Sequence, residues 1–460
     1  MADPKPSKGL SKLKTSSTQR RLSLAKASMT VGGRWASNAA GGLFKSKEDK
    51  QERNDKFILE QAEYLVKEIG ELKGSLVKIG QMAALYGDHF FPPEVSEALH
   101  KLDNQTNPID FSELWPFIKS ELGPAYKDFE VDEMPIGTAS LAQVHKARIK
   151  STGEEVVLKV QYPGVAEAVD SDLAVFKGLL KMTNLLPQTK AFDEWFNELA
   201  NMMHQEVNYL TEADSTRRFA GYVEGDPRYA VPKIYTRYSS EKLMVMSYEP
   251  GVSIKAPSVK ALSQDRRDRL GEGLLEIMFQ ELFVWGEMQT DPNFGNYLIR
   301  ISEADDQPDQ IVMLDFGAIR AFDADLLKVA QNLIMAGYAR DHDQMIAAMS
   351  DLPFFDDMPD EVKTNMAGLF LTATEPFAKL SAYPELDGDV VEEGSRYRWS
   401  TSKLHSRLSD SSRAAVVSKY FSVPPKEVMF ISRKFIGVYT FETVLDARTM
   451  AYEWLKDHER

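Results

Sequence analysis

The 460-residue chain contains no cysteine. That absence excludes a disulfide framework and a thiolate metal site, and it argues against an exported, disulfide-stapled protein, so a reducing compartment fits best. Long apolar runs are missing too. No window approaches the roughly 18 consecutive apolar residues of a membrane-spanning helix, because the stretches near Leu282 and Phe370 are soon interrupted by charge. Any membrane contact is therefore expected to be peripheral. Acidic residues are scarce in one place: residues 1–47 hold ten Lys or Arg against the single Asp3. This arm carries +9, which by subtraction leaves −23 on the rest of a chain whose net charge is −14.

The arm is rich in Ser, Thr, Gly and Ala, and three readings of it stand open: a solvated basic tail, a docking segment for anionic lipid, or a mitochondrial presequence. Asp3 and the lack of an apolar face count against the third. Nucleic acid is not an expected partner, since the acidic body would repel a polyanion. A hydrophobic content of 43% supports a large core, and the length suggests roughly two to four domain-sized units.

Along the chain, Ile58, Ala62, Leu65, Ile69, Leu72, Leu76, Ile79 and Ala83 step by four and three, which marks one face of a long helix. Breakers follow in "FFPPEV" and "NQTNPIDF", with Asp110 a candidate cap before "FSELWPFIKSELG". Near Ile136 the texture turns to β: a turn-rich loop, "AQVHKARI", the turn "KSTGEE" and the strand "VVLKVQY", a hairpin. Helical patterns run from about Glu167 to Leu186 and from Phe192 to Val223. "LMVMSYEPG" reads as a buried strand entering a turn. The remainder is mostly helical apart from the short strands "NYLIRI" and "IVMLDFG". No internal repeat is present.

Three constellations carry chemistry. Gly137-x-Ala139-x-x-Ala142-x-Val144 keeps the frame of a kinase phosphate-covering loop, G-x-G-x-x-G-x-V, and fifteen residues past Val144 stands Lys159 in "VVLK", placed to meet phosphates. Taken alone, this pattern is most often a turn followed by a solvated strand lysine. Downstream, "QTDPNFGN" sets Asn296 five residues after Asp291, the spacing at which an Asp takes a hydroxyl proton and an Asn holds a metal. "MLDFG" then offers Asp315 as an oxygen ligand suited to Mg²⁺. A lone D-F-G means little, but three elements in kinase order are rarely an accident. The departures matter equally: no H-R-D precedes Asp291, no A-P-E follows Asp315, and "AIRAFDADLLKVAQ" runs straight into helix where a protein kinase carries an activation loop.

At this point the chain resembles the UbiB family of atypical protein-kinase-like proteins, also called aarF-domain kinases. The resemblance covers roughly Lys12 to the C-terminus. The family's K-x-G-Q motif is matched by "KIGQ", with Lys78 and Gln81, and its alanine-rich loop by "PIGTASLAQVH", although Gly137 and Thr138 replace two alanines. Its E-x-D motif falls in "QEVNYLTEA", where Asn208 stands for the aspartate. The resemblance implies that Glu212 pairs with Lys159, that Glu206 contacts Lys78, and that the K-x-G-Q helix occupies the place of a peptide substrate.

It further implies a bilobal, α/β (α+β) protein-kinase-like fold. The expected organisation is a basic arm over 1–56, a helical extension over 57–130, a small lobe with an inserted helix over 131–250, and a large helical lobe over 251–460. Candidate nucleotide-binding residues are Ile136, Gly137, Thr138, Ala139, Ser140, Gln143, Val144, Lys159, Met246 and Tyr248. Asp291, Lys159, Glu212, Lys78, Gln81 and Glu206 form the candidate catalytic set, with Asn296 and Asp315 for metal. The implied cofactors are ATP and Mg²⁺. The implied role is slow ATP hydrolysis or phosphoryl transfer in isoprenoid-quinone (ubiquinone) biosynthesis, with lipid-like quinone precursors or quinone-biosynthesis proteins as partners. The expected place is cytoplasmic and peripheral to the inner membrane, or alternatively the mitochondrial matrix. A small-molecule or lipid kinase and a nucleotide-gated scaffold remain alternatives.

Overall fold

A computed structural model of the chain describes residues 60, 66, 75–86, 91, 93–100, 102, 108–182, 190–304, 307–352, 355, 358–379, 390–391, 396–408 and 426–456. The basic arm, and most of the stretch from Ile58 to Leu72, lie outside them. Two compact units are formed: Met1–Asp214 with Lys233–Tyr248, and Ser215–Pro232 with Glu249–Arg460.

In the first unit, helices α1 (Ser75–Tyr86) and α2 (Pro93–His100) precede α3 (Phe111–Leu122). Asp110 caps α3 by accepting the Ser112 N–H at 2.9 Å, and Gly123, at a positive φ of 53°, ends it. A four-stranded antiparallel sheet follows, in spatial order β1 (Phe129–Thr138), β2 (Ala142–Ile149), β3 (Glu155–Gln161) and β4 (Leu243–Ser247). The stretch read as a turn-rich loop before "AQVHKARI" is thus largely an edge strand. Its register slips twice around Pro135, which has no N–H to give to the ladder.

The sheet's two faces have different partners. Leu114, Ile118 and Leu122, one turn apart on α3, bury themselves against Ala147, Ile149, Val156, Leu158, Val160, Leu243 and Val245. The opposite face presents Ala142, Val144, Val157, Met244 and Met246 to Tyr209 and Ala213. Strand alternation places Lys159 on this second face, with Val157. Helices α4 (Val165–Met182) and α5 (Lys190–Glu206) form the insertion between β3 and α6 (Tyr209–Tyr222). The single helix read over Phe192 to Val223 is therefore two. The break falls at Val207 and Asn208, and Asn208 caps the second helix, its Oδ1 accepting the Leu210 N–H at 3.1 Å.

The later half of α6 belongs to the second unit, because Phe219 and Val223 pack into that unit's core. There α7 (Gln264–Gln280), capped by Ser263, passes into a π-helical turn, Glu281–Trp285, which Gly286 ends at a positive φ of 70°. Strand β5 (Glu287–Gln289) pairs with β8 (Ile319–Ala321), and β6 (Tyr297–Arg300) with β7 (Gln310–Met313), both antiparallel. Two residues past β8, Asp323 caps α8 (Ala324–Ala339) through the Leu326 N–H, so the chain enters helix without an activation loop. Helices α9 (His342–Ser350) and α10 (Asp360–Ala373) pack on α8 around Met345, Met349 and Phe355. The 20-residue α11 (Lys426–Leu445) and α12 (Ala451–Lys456) complete the described fold.

Candidate functional site

The candidate residues of the first unit gather at two ion pairs. On β3, Lys159 lies between Val144 of β2 and Met244 of β4, and its Nζ donates to Glu212 Oε1 and Oε2 at 2.6 and 2.9 Å. Glu212 sits in the first turn of α6, where Asn208 starts the helix. Because a cap needs only a side-chain oxygen, Asn208 fills this position as an aspartate would. The pair is nearly but not wholly closed: the side chains are 15% and 5% exposed. The Lys159 ammonium also lies 5.2 Å from the Tyr209 ring centroid.

The second pair joins the K-x-G-Q helix to the insertion. Lys78 on α1 meets Glu206, the last residue of α5, at 2.6 Å, with side chains 22% and 28% exposed. Deeper on the same helix, the hydroxyl of Ser75 donates to the Asp172 carboxylate of α4, both residues being buried. Gln81 is half-buried one turn beyond Lys78.

The phosphate-loop candidates are the tip of the β1–β2 hairpin, not a separate loop. Gly137 and Thr138 pair with Val144 and Gln143, and the Ala139 N–H donates to the Ala142 carbonyl at 2.8 Å. Ile136 is exposed and Ser140 buried. Gln143 departs from its expected role. Its side chain lies on the α3 face of the sheet, fully buried, accepting the Ile109 N–H at 2.9 Å and donating to the Ile109 carbonyl at 3.3 Å. Strand parity turns it away from Lys159, so this amide is not available to a nucleotide. Its neighbour His145 is buried against the Asp132 carbonyl, and burial lowers its pKa. Met246 is buried beside Val157. The Tyr248 ring lies 4.1 Å from the Lys146 ammonium, and the Tyr248 N–H donates to the Glu155 carbonyl.

In the second unit the motif residues converge through backbone bonds. The Thr290 N–H and hydroxyl both donate to the Ala318 carbonyl, at 3.0 and 2.8 Å, and the Leu314 N–H donates to the Asn296 carbonyl at 2.9 Å. These bonds tie the D-x-x-x-x-N loop to the D-F-G. Asn296 Nδ2 donates to the Asp291 carbonyl at 3.0 Å, which leaves the amide oxygen as the group suited to a cation. Asp315 Oδ1 accepts the Gly317 N–H at 2.9 Å, and Phe316 packs on Phe219 at 5.0 Å.

Sequence reasoning missed one participant. Arg433 on α11 forms a 2.6 Å ion pair with Asp291 Oδ1. No motif spacing signals it, since it lies 142 residues away. No cluster of three or more His, Asp or Glu side chains fit for a metal occurs among the described residues. Nor is any described helix long and apolar enough to cross a membrane.

Comparison with known proteins follows the same pattern. A family model described as the ABC1 atypical kinase-like domain matches residues 101–349, more than half of the chain. Atypical kinase COQ8, mitochondrial, of Saccharomyces cerevisiae is 27% identical over 379 residues, 82% of this chain and 71% of that protein. A probable serine/threonine-protein kinase, abkA, of Dictyostelium discoideum is 28% identical over 82% of this chain and 67% of its own length. For the rat protein named atypical kinase COQ8B, mitochondrial, the identity is 29% over 73% of this chain and 62% of that one. A solved Mycobacterium tuberculosis protein, in complex with erythromycin, superposes with a TM-score of 0.56 at 23% identity, covering 89% of this chain and 98% of that one. That likeness concerns the fold, which is kinase-like and α+β.

Proposed function

From the premise that this chain belongs to the ABC1 atypical kinase-like family, we propose that it binds Mg-ATP and hydrolyses it slowly or transfers its γ-phosphoryl group. The observation that carries this reading is the convergence of Asp291, Asn296 and Asp315 in one bonded loop pair, in a chain that also holds Lys159 on Glu212. Lys159, aligned by Glu212, is the group for phosphate oxygens. Asp291 is the base or water-orienting group. The donor set fits a divalent ion: the Asn296 amide oxygen and the Asp315 carboxylate are hard oxygen ligands, to be completed by phosphate and water. When bound, Mg²⁺ would neutralise charge on the phosphates.

Asp315→Asn is expected to weaken Mg-ATP binding greatly, whereas Asp291→Asn leaves binding largely intact and lowers turnover. Titration with a fluorescent ATP analogue and phosphate-release kinetics check both. Equal affinity and hydrolysis in wild type and Asp315→Asn would sink the metal assignment. Turnover-independent function in Asp291→Asn would favour a nucleotide-gated scaffold, and stoichiometric transfer to an acceptor a small-molecule or lipid kinase.

The proposed setting is isoprenoid-quinone biosynthesis at a membrane surface, supported by the resemblance and by the mitochondrial relatives named above. The +9 arm is the proposed contact with anionic lipid. Deleting residues 1–47 should abolish salt-sensitive co-sedimentation with anionic vesicles, and undiminished binding would remove that role.

A further inference from the structure

The loop that holds Asp291 is built against one helix. Along α11, Arg433, Gly437 and Phe441 recur one turn apart, and Lys434 stands beside Arg433 at the edge of the same face. Arg433, Gly437 and Phe441 meet the catalytic-loop candidate directly, and Lys434 reaches it through the π-helical turn before β5. Arg433 holds the Asp291 carboxylate. Lys434 forms a closed 2.7 Å pair with Glu281, whose Oε1 accepts the Gln289 backbone N–H at 3.1 Å. The Gln289 amide then donates to the Asp291 carbonyl at 2.7 Å. Gly437 stands directly against Pro292: a Cβ there would lie 2.1 Å from the proline Cγ. Phe441 packs on Phe294 and Tyr297, with ring centroids 4.7 and 5.1 Å apart.

A helix that only sealed a core would use apolar side chains and alanine on this face. A buried ion pair adds less stability than apolar residues of the same volume, and glycine weakens a helix interior. Both of these costly choices fall where α11 touches the residues around Asp291. The two residues that replace the His-Arg of a protein-kinase H-R-D are also turned inward, Gln289 onto Asp291 and Thr290 onto Ala318.

We propose that α11 is the positioning element for Asp291, with Arg433 fixing its carboxylate from the side and Lys434 fixing its backbone through Glu281 and Gln289. Gly437 sets the distance of approach. This rests on the reading of Asp291 as the base or water-orienting group. Arg433, Lys434, Gly437 and Gln289 are positioning residues, acting on a reacting centre through Asp291.

The test uses the full chain with Gly437→Ala, Gln289→Met and, as control, Ile436→Ala, an exposed position on α11. Measured are ATP turnover, KM for ATP, thermal midpoint and hydrogen exchange of peptides spanning residues 289–297. Gly437→Ala and Gln289→Met should each lower kcat about tenfold with KM within about twofold, and should speed exchange in that segment. Ile436→Ala should match wild type. If Gly437→Ala does not fold, Gln289→Met decides. A lowered thermal midpoint with kcat and segment exchange unchanged overturns the proposal, because that is what packing alone would give. If wild type turns over no ATP, the proposed activity fails, and exchange in 289–297 alone judges the positioning role: unchanged exchange in Gln289→Met overturns it.

Discussion

Each unit of this protein contains a lysine–glutamate pair of nearly the same length, and the two differ in closure. Lys159 and Glu212 meet at 2.6 Å with side chains 15% and 5% exposed, whereas Lys434 and Glu281 meet at 2.7 Å with 2% and 1%. Burial by itself would push the Lys434 ammonium down and the Glu281 carboxyl up, and each charge is the main offset for the other. A pair so enclosed, with Glu281 already bonded to the Gln289 N–H, leaves no room for a ligand from solvent. The Lys159 pair keeps more contact with solvent, which suits a lysine whose proposed ligand is an anion. Ion pairs that look alike in distance therefore differ in how far they are sealed from solvent, and the proposed phosphate-binding role falls on the less sealed one.

The contrast can be broken most severely at the closed pair. Lys434→Ala strands the Glu281 carboxylate in the core and should cost about 3–5 kcal/mol of stability, visible as a large drop in urea midpoint or as loss of soluble protein. A midpoint near wild type would mean that water reaches the pair.

A third carboxyl shows what the closed pair avoids. Glu442, on the same helix α11, is fully buried, and neither of its oxygens has a hydrogen-bond partner among the described residues. Gly271 of α7 makes room for it, since a Cβ there would stand 2.3 Å from Oε2. Burial, with Glu272 and Asp268 nearby, raises its pKa well above the ordinary carboxylate range. The unfolded chain releases this proton near pH 4.3 while the fold retains it, so wild type loses about 1.4 kcal/mol per pH unit between the two pKa values. Glu442→Met should therefore raise the thermal midpoint more at pH 8 than at pH 4, where only the cost of the unbonded neutral carboxyl is relieved. An equal shift at both would show that the gain is one of packing.

The less sealed pair should respond differently. Lys159→Ala is expected to cost roughly 1–2 kcal/mol of stability, less than the closed pair, because solvent reaches Glu212 more readily once the lysine is gone. Its larger effect should be on ATP affinity. A stability loss as great as that of Lys434→Ala, with affinity unchanged, would erase the distinction between the pairs.

The smallest stability effect is expected at Lys78, whose pair with Glu206 is the most exposed of the three. Lys78→Ala should change stability by less than about 1 kcal/mol. It should nonetheless alter nucleotide affinity, hydrolysis or autophosphorylation relative to Lys190→Ala, whose side chain is 91% exposed. Identical behaviour in all three assays would make Lys78 a solvated helix residue and would remove α1 from the proposed site.

What the sequence by itself determined was local: the Asp110 cap, the β2–β3 hairpin with Lys159 on its second strand, the order of Asp291, Asn296 and Asp315, and the direct entry into α8. Caps, turns and strand alternation depend on residues a few positions apart, and their hydrogen bonds can be read from neighbours. The break at Asn208 was equally local, but an uninterrupted helical periodicity on either side hid it. Only the tertiary structure decided that Gln143 faces Ile109 and that Arg433 reaches Asp291. It also decided that Lys434 is sealed on Glu281 and that Gly437 admits Pro292. Those outcomes depend on which face of one element packs on another far along the chain. An isolated lysine or arginine looks the same in sequence whether it ends in solvent, on a ligand or in a core, because its desolvation and its partner are fixed only when distant elements close around it.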